Sequence, residues 1–138
     1  MAVGETKDVG FQIGVSRTLP YRVEDVWELL TGVDGLGLWL GVLEEWEPVK
    51  GGRYRTDAGT VGEIRSFREN DRIRMTWRPA GWNHDSTVQV AMTPREGRTV
   101  LRFHQEWLAN PDERARQREY WQRVMATVVE AARTSFGR

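Results

Sequence analysis

The stretch from Asn110 to about Phe136 limits the fold more than any other part of this chain. Asn110 can cap a helix, Pro111 suits the first helical position, and Glu113 completes an Asn-x-x-Glu capping box. Trp121, Met125, Val128 and Ala132 then recur at helical spacing, widened by Val124 and Ala131, while Arg114, Arg116, Arg118 and Arg123 form a solvated side. A helix of about 25 residues is roughly 37 Å long. That is too long for a connector, and its apolar stripe needs a partner surface.

The upstream sequence offers one. Residues 1–9 are polar and unpatterned and read as a flexible tail, leaving 10–138 as a single domain. Phe11, Ile13 and Val15 alternate as in a half-buried strand that Pro20 ends. Val23, Val26, Trp27 and Leu30 predict a short helix over about 22–31, weakly capped because Thr18 is the only nearby hydroxyl. Leu36, Trp39 and Leu40 predict a second, interrupted by Gly32, Gly35 and Gly37. About five strands follow. One is 53–56. Another, 60–68, has Val61, Glu63, Arg65 and Phe67 on one face in an ambiguous phase. The strand over 72–78 alternates Ile73, Met75 and Trp77 with arginines, and 86–93 carries Val88, Val90 and Met92. In 98–107, Leu101, Phe103, Gln105 and Trp107 share one face. Apolar residues on one side and arginines on the other describe an antiparallel sheet with one covered face. The helices are the material available to cover it, so the fold class is α+β, with a sheet of about six strands.

Composition excludes several functions. Without cysteine there are no disulfides, thiol nucleophiles or Cys-held zinc, and the chain suits a reducing cytoplasm. Twenty basic and twenty acidic residues cancel, which argues against a nucleic-acid partner. No apolar run approaches about 18 residues, and no signal-like segment opens the chain, so no membrane is expected. The glycines of 32–37 follow a helix and lack Gly-Lys-Ser/Thr, so they do not form a phosphate loop. His84 lies beside Asp85 and Ser86, but neighbours in sequence do not make a triad. Two histidines without an HExxH motif offer no zinc site. Neither a metal nor another cofactor is expected.

With this order of elements, the chain resembles the helix-grip fold of the Bet v 1-like/START (SRPBCC) superfamily. Within it, the chain is similar to the group of activator-of-heat-shock-protein-90-ATPase homologues. The resemblance spans about residues 11–134. It is carried by Val26-Trp27-Glu28-Leu29-Leu30, Gly51-Gly52-Arg53-Tyr54, Gly59-Thr60-Val61-Gly62-Glu63-Ile64, Asp71-Arg72-Ile73-Arg74-Met75-Thr76-Trp77 and Thr99-Val100-Leu101-Arg102-Phe103. Tyr120-Trp121 stands where the family often has Gly-Trp. The chain departs from the family in lacking a Ser or Thr cap before the first helix, and in having Gln105 where a His is common in the last strand.

The resemblance implies a curved sheet wrapped around the long helix, with a cavity between them. Seven tryptophans suit either a thick core or an aromatic-walled cavity. On this reading the ligand-binding residues are Trp39, Met75, Trp77, Phe103, Trp107, Trp121 and Met125, with Glu63, Arg65 and Gln105 as polar groups on the covered face. Glu63 is the weak candidate for an acid–base role, and a Glu63–Arg65 pair is the plain structural alternative. The loop 79–85 either closes over the cavity or tucks Trp82 against the sheet. Arg72, Arg74 and Arg102 are expected in cross-strand ion pairs on the wet face. Three functions follow from this reading. The first is a binding protein for a small hydrophobic or aromatic molecule. The second is an enzyme of the aromatase/cyclase or hydrolase type using the same cavity. The third is a co-chaperone-like interaction domain. A homodimer stays open.

Overall fold

The computed structural model describes residues 4–6 and 10–137. The elements run β1 (Glu5–Thr6), β2 (Gly10–Leu19), α1 (Val23–Thr31), α2 (Val33–Trp39), β3 (Leu43–Trp46), β4 (Arg53–Thr56), β5 (Val61–Arg68), β6 (Arg72–Trp77), β7 (Ser86–Arg95), β8 (Arg98–Leu108) and α3 (Pro111–Phe136). Among the described residues eight antiparallel strands lie in the order β1-β2-β8-β7-β6-β5-β4-β3. This is the expected helix-grip architecture with two more strands than the six anticipated. One is β1, which pairs Glu5 with Phe11 inside the stretch read as a tail; the rest of that reading, 1–3 and 7–9, lies outside the described residues. The other is β3, an edge strand too short and irregular to show a period of two.

The long helix is built as its sequence dictates. The Asn110 side chain accepts from the Glu113 N–H at 2.8 Å, and Glu113 Oε1 accepts from the Ala109 N–H at 3.0 Å, so the box closes one residue early. Gly137, left-handed at φ 72°, ends the helix. By contrast α1 has Arg22 at its N-cap and no side-chain cap. Trp121, Val124, Met125, Val128 and Ala132 are buried. They press α3 chiefly onto β2, with α2 and β8 alongside.

Coverage is uneven for a reason of size. Eight strands at about 4.8 Å spacing make a sheet roughly 34 Å wide, whereas a helix is about 10 Å across. With α3 set over the β2–β8 side, the β4–β3 end depends on the short helices for cover.

Two irregularities decide which way side chains point. Between Phe11 and Ile13 of β2, β8 inserts an extra residue, and Trp107 takes a left-handed φ of 62° there. Between Ile64 and Ser66 the pairing of β5 with β6 shifts register. A bulge resets the alternation beyond it. Consequently Ile64, and not Glu63, is buried, and Trp107 turns outward.

Candidate functional site

The interior under α3 is an aromatic cluster around a polar spine. Phe103 stacks on Trp121 with ring centroids 5.0 Å apart, and Trp77 lies 6.0 Å from Trp121 and 5.9 Å from Tyr120. Gln105, fully buried on β8, accepts from Trp121 Nε1 at 2.9 Å and from Gln117 Nε2 at 3.0 Å. It donates to Ser86 Oγ at 2.9 Å, which in turn donates to the Trp77 carbonyl at 2.7 Å. Tyr120 donates to the Trp39 carbonyl at 2.8 Å, and burial raises its hydroxyl pKa. Trp39 donates to the Leu30 carbonyl at 3.0 Å. Buried polar groups must find partners, and this spine draws them from side chains and from the carbonyls of Trp77, Trp39 and Leu30.

Of the residues expected to line a cavity, Trp39, Met75, Trp77, Phe103, Gln105, Trp121 and Met125 are thus brought together, as mutually packed core. The other three are elsewhere. Glu63 and Arg65 lie on the outer face, half exposed and paired at 3.1 Å, because the register shift in β5 turns them away from the helix. Trp107 is 49 % exposed at the bulge of β8. The expectation that these three share the covered face is therefore corrected. Glu63 sits apart from any apolar enclosure that would poise a carboxyl for proton transfer.

The loop 79–85 is tied down. Trp82 lies edge-on to Trp77 at 5.7 Å and stacks on His84 at 4.9 Å, while His84 Nε2 is 2.9 Å from Glu113 Oε1 at the start of α3. On the outer face Glu106 is buried, held by both nitrogens of the Arg74 fork at 3.2 and 3.3 Å, and His104 Nδ1 lies 3.4 Å from it. Among the described residues no three His, Asp or Glu side chains gather as a metal site would require.

Apolar space opens at the uncovered end of the sheet. A groove of about 460 Å³ runs between α2 and the edge strand β3, lined by Val33, Asp34, Leu36, Gly37, Val42, Leu43 and Trp46. Its wall on α2 exists because Val33, Leu36 and Gly37 fall at i, i+3 and i+4 on one helix face. On the opposite face Gly35 meets the carbonyl of Leu29 so closely that no side chain fits. The second wall follows from another irregularity. The pairing of β3 with β4 shifts between Leu43 and Glu45, so Glu44 and Glu45 point out while Leu43 and Trp46 both face in. Behind Trp46 the rings continue inward to Tyr54 at 6.4 Å and Phe67 at 6.5 Å, and Phe67 meets Trp27 at 5.4 Å. A Cβ on Gly37 would meet nothing within 4 Å, so that glycine leaves room over the groove. None of these lining residues is among the site residues expected from sequence. The available signal was the three-residue spacing of Leu43 and Trp46, which breaks strand periodicity beside a helix with glycine on its apolar face.

The sequence profile of the family described as Activator of Hsp90 ATPase homolog 1-like protein matches residues 20–132. No curated protein sequence shows a significant match. Solved structures share the fold at low identity. DynU16, a protein of the dynemicin biosynthetic locus, superposes with a TM-score of 0.78 at 21 % identity, covering 92 % of this chain and 48 % of its own. The chain therefore spans about half the length of DynU16. CalU16 from Micromonospora echinospora gives a TM-score of 0.74 at 16 % identity over 86 % of this chain and 75 % of its own. An HSP90 activator from Plasmodium falciparum gives 0.72 at 18 % identity over 91 % and 96 %.

Proposed function

Since the chain belongs to the family of Activator of Hsp90 ATPase homolog 1-like proteins, and carries its helix-grip fold, we propose that it is a binding protein for a small apolar molecule held between α2 and β3. The observation that carries this reading is the groove of about 460 Å³ with Leu36, Leu43 and Trp46 on its walls. Ligand pockets typically run about 300–1,000 Å³ and are lined by apolar and aromatic side chains with a few polar groups. The cavity inferred from the resemblance lay under α3, among Trp77, Phe103 and Trp121. Those residues instead hold one another in place, so the guest is assigned to the groove at the sheet's uncovered end.

A catalytic role gains no support from Glu63, which faces solvent beside Arg65. A protein partner is the second reading. Val33 and Val42 on the groove's rim are 89 % and 65 % exposed, next to the unpaired edge of β3. The HSP90 activator among the structural neighbours gives that reading a precedent of fold alone.

One substitution separates these readings. Gly37→Trp fills the groove, and its Cβ enters open space. Purified protein is expected to bind N-phenyl-1-naphthylamine with enhanced, blue-shifted emission. The variant should lose that binding at an unchanged or higher Tm. Absence of binding by this dye and by a panel of small apolar molecules would overturn the ligand reading, leaving the protein-partner reading. Equal binding by the variant would remove the groove as the site.

A further inference from the structure

The lining of the groove is apolar but for one charge. Of its seven lining residues six are uncharged, and the seventh is Asp34, exposed in the first turn of α2. The surrounding chain has the same sign. From Val23 to Val49, a run that contains α1, α2 and β3, there are seven carboxylates (Glu24, Asp25, Glu28, Asp34, Glu44, Glu45 and Glu47) and no Lys, Arg or His. The molecule as a whole is neutral. Its positive charge therefore lies on other segments; β4 brings Arg55 opposite Glu45, both exposed and neither on the groove's lining. Among the described residues the one ion pair that any of these seven makes is Asp25 with Arg22 at 3.6 Å, in the first turn of α1. Asp34 has no basic neighbour in sequence to neutralise it, and Trp46 lines the same groove.

Resting on the binding function proposed above, we infer that the guest is an organic cation: a flat apolar body seated on Leu36, Leu43 and Trp46, with a protonated amine directed to Asp34. The apolar walls account for the body. The carboxylate and the indole face both attract a cation and neither attracts an anion. Salt screens such an exposed attraction over about 8–10 Å. An exposed ion pair with a cation–π contact amounts to about a three- to tenfold preference over an uncharged analogue.

Three matched probes test this by calorimetric titration of the intact protein: 2-(1-naphthyl)ethylamine, 2-(1-naphthyl)ethanol and 3-(1-naphthyl)propanoate at neutral pH. The expected order is amine, then alcohol, then carboxylate, with the first gap about three- to tenfold. Asp34→Asn should close that gap without weakening the alcohol, and raising the salt should narrow it. Equal affinity for the three probes would overturn the cation assignment while leaving the binding function intact. Tightest binding by the carboxylate would do the same. Failure of all three probes to bind, or binding that Gly37→Trp does not remove, would overturn both.

Discussion

Two glycines two residues apart illustrate how much a single Cβ can decide. Gly35 is packed against the carbonyl of Leu29 at the end of α1, where a methyl group would collide with backbone that cannot swing aside. Gly37 faces open space in the same helix. Gly35→Ala is therefore expected to destabilise the fold by about 2 kcal/mol or more through overpacking. Gly37→Ala should stabilise it by roughly 0.5–1 kcal/mol, since alanine loses less backbone entropy in a helix. Paired denaturant titrations check both, and equal effects would contradict the packing described for α2. Sequence showed that these glycines interrupt a helix, but which one touches backbone depends on where α1 ends. The same limit applies to Glu63. Its strand has no clear phase, and the register shift beside Ile64 sends it outward.

At the scale of elements, α3 was the most legible part. Its cap, its stripe and its glycine stop are all local signals, and local signals survive folding. Asn110→Ala removes the acceptor that holds the Glu113 N–H, and is expected to cost about 1 kcal/mol (range roughly 0.5–2). Thermal unfolding by far-UV circular dichroism reads the loss; a change below a few tenths would mean that the second arm of the box, Glu113 to the Ala109 N–H, suffices. The β8 strand was half legible. Leu101, Phe103 and Gln105 fall inward as their alternation predicts, but the extra residue opposite Gln12 rotates Trp107 out. An inserted residue leaves no mark in the periodicity until the partner strand is known. The edge strand β3 was missed for a similar reason, since its shift places Glu44 and Glu45 in succession on the outer side.

For the molecule as a whole, the outer face of the sheet carries a charge network that ties stability to pH. His104 hydrogen-bonds through Nε2 with Gln12 Oε1 at 2.8 Å and lies beside Glu106, Arg74 and Arg102. Burial is the main cause that lowers its pKa; the Glu106 carboxylate opposes this, and the Arg102 and Arg74 charges reinforce it. In the unfolded chain His104 takes a proton near 6.5, and in the folded chain only at lower pH. Between those values the unfolded state binds more protons, so stability rises with pH. The contribution is fully present above pH 6.5 and is lost as the pH falls toward the folded-state value. His104→Gln should accordingly shrink the fall in Tm between pH 7.5 and pH 5.5. An unchanged or steeper fall would reverse the sign assigned to His104. No helix among the described residues is long and apolar enough to cross a membrane.

Sequence by itself determined the α+β class, the order of most elements, the capped long helix and the one-sided sheet, because each follows from propensity and spacing within a few residues. It also identified the family resemblance, and it placed Gln105 among aromatic rings, where the Ser86–Gln105–Trp121 spine now lies. Only the tertiary structure decided where the empty space is. Sheet width against helix width, three register shifts and the close approach of α2 to α1 together leave a groove at the β3 edge, while the aromatic rings under α3 pack on one another. Those are relations between segments far apart in the chain. Periodicity along the chain contains no term for them, so the long helix could be read at once and its missing cover at the far edge could not.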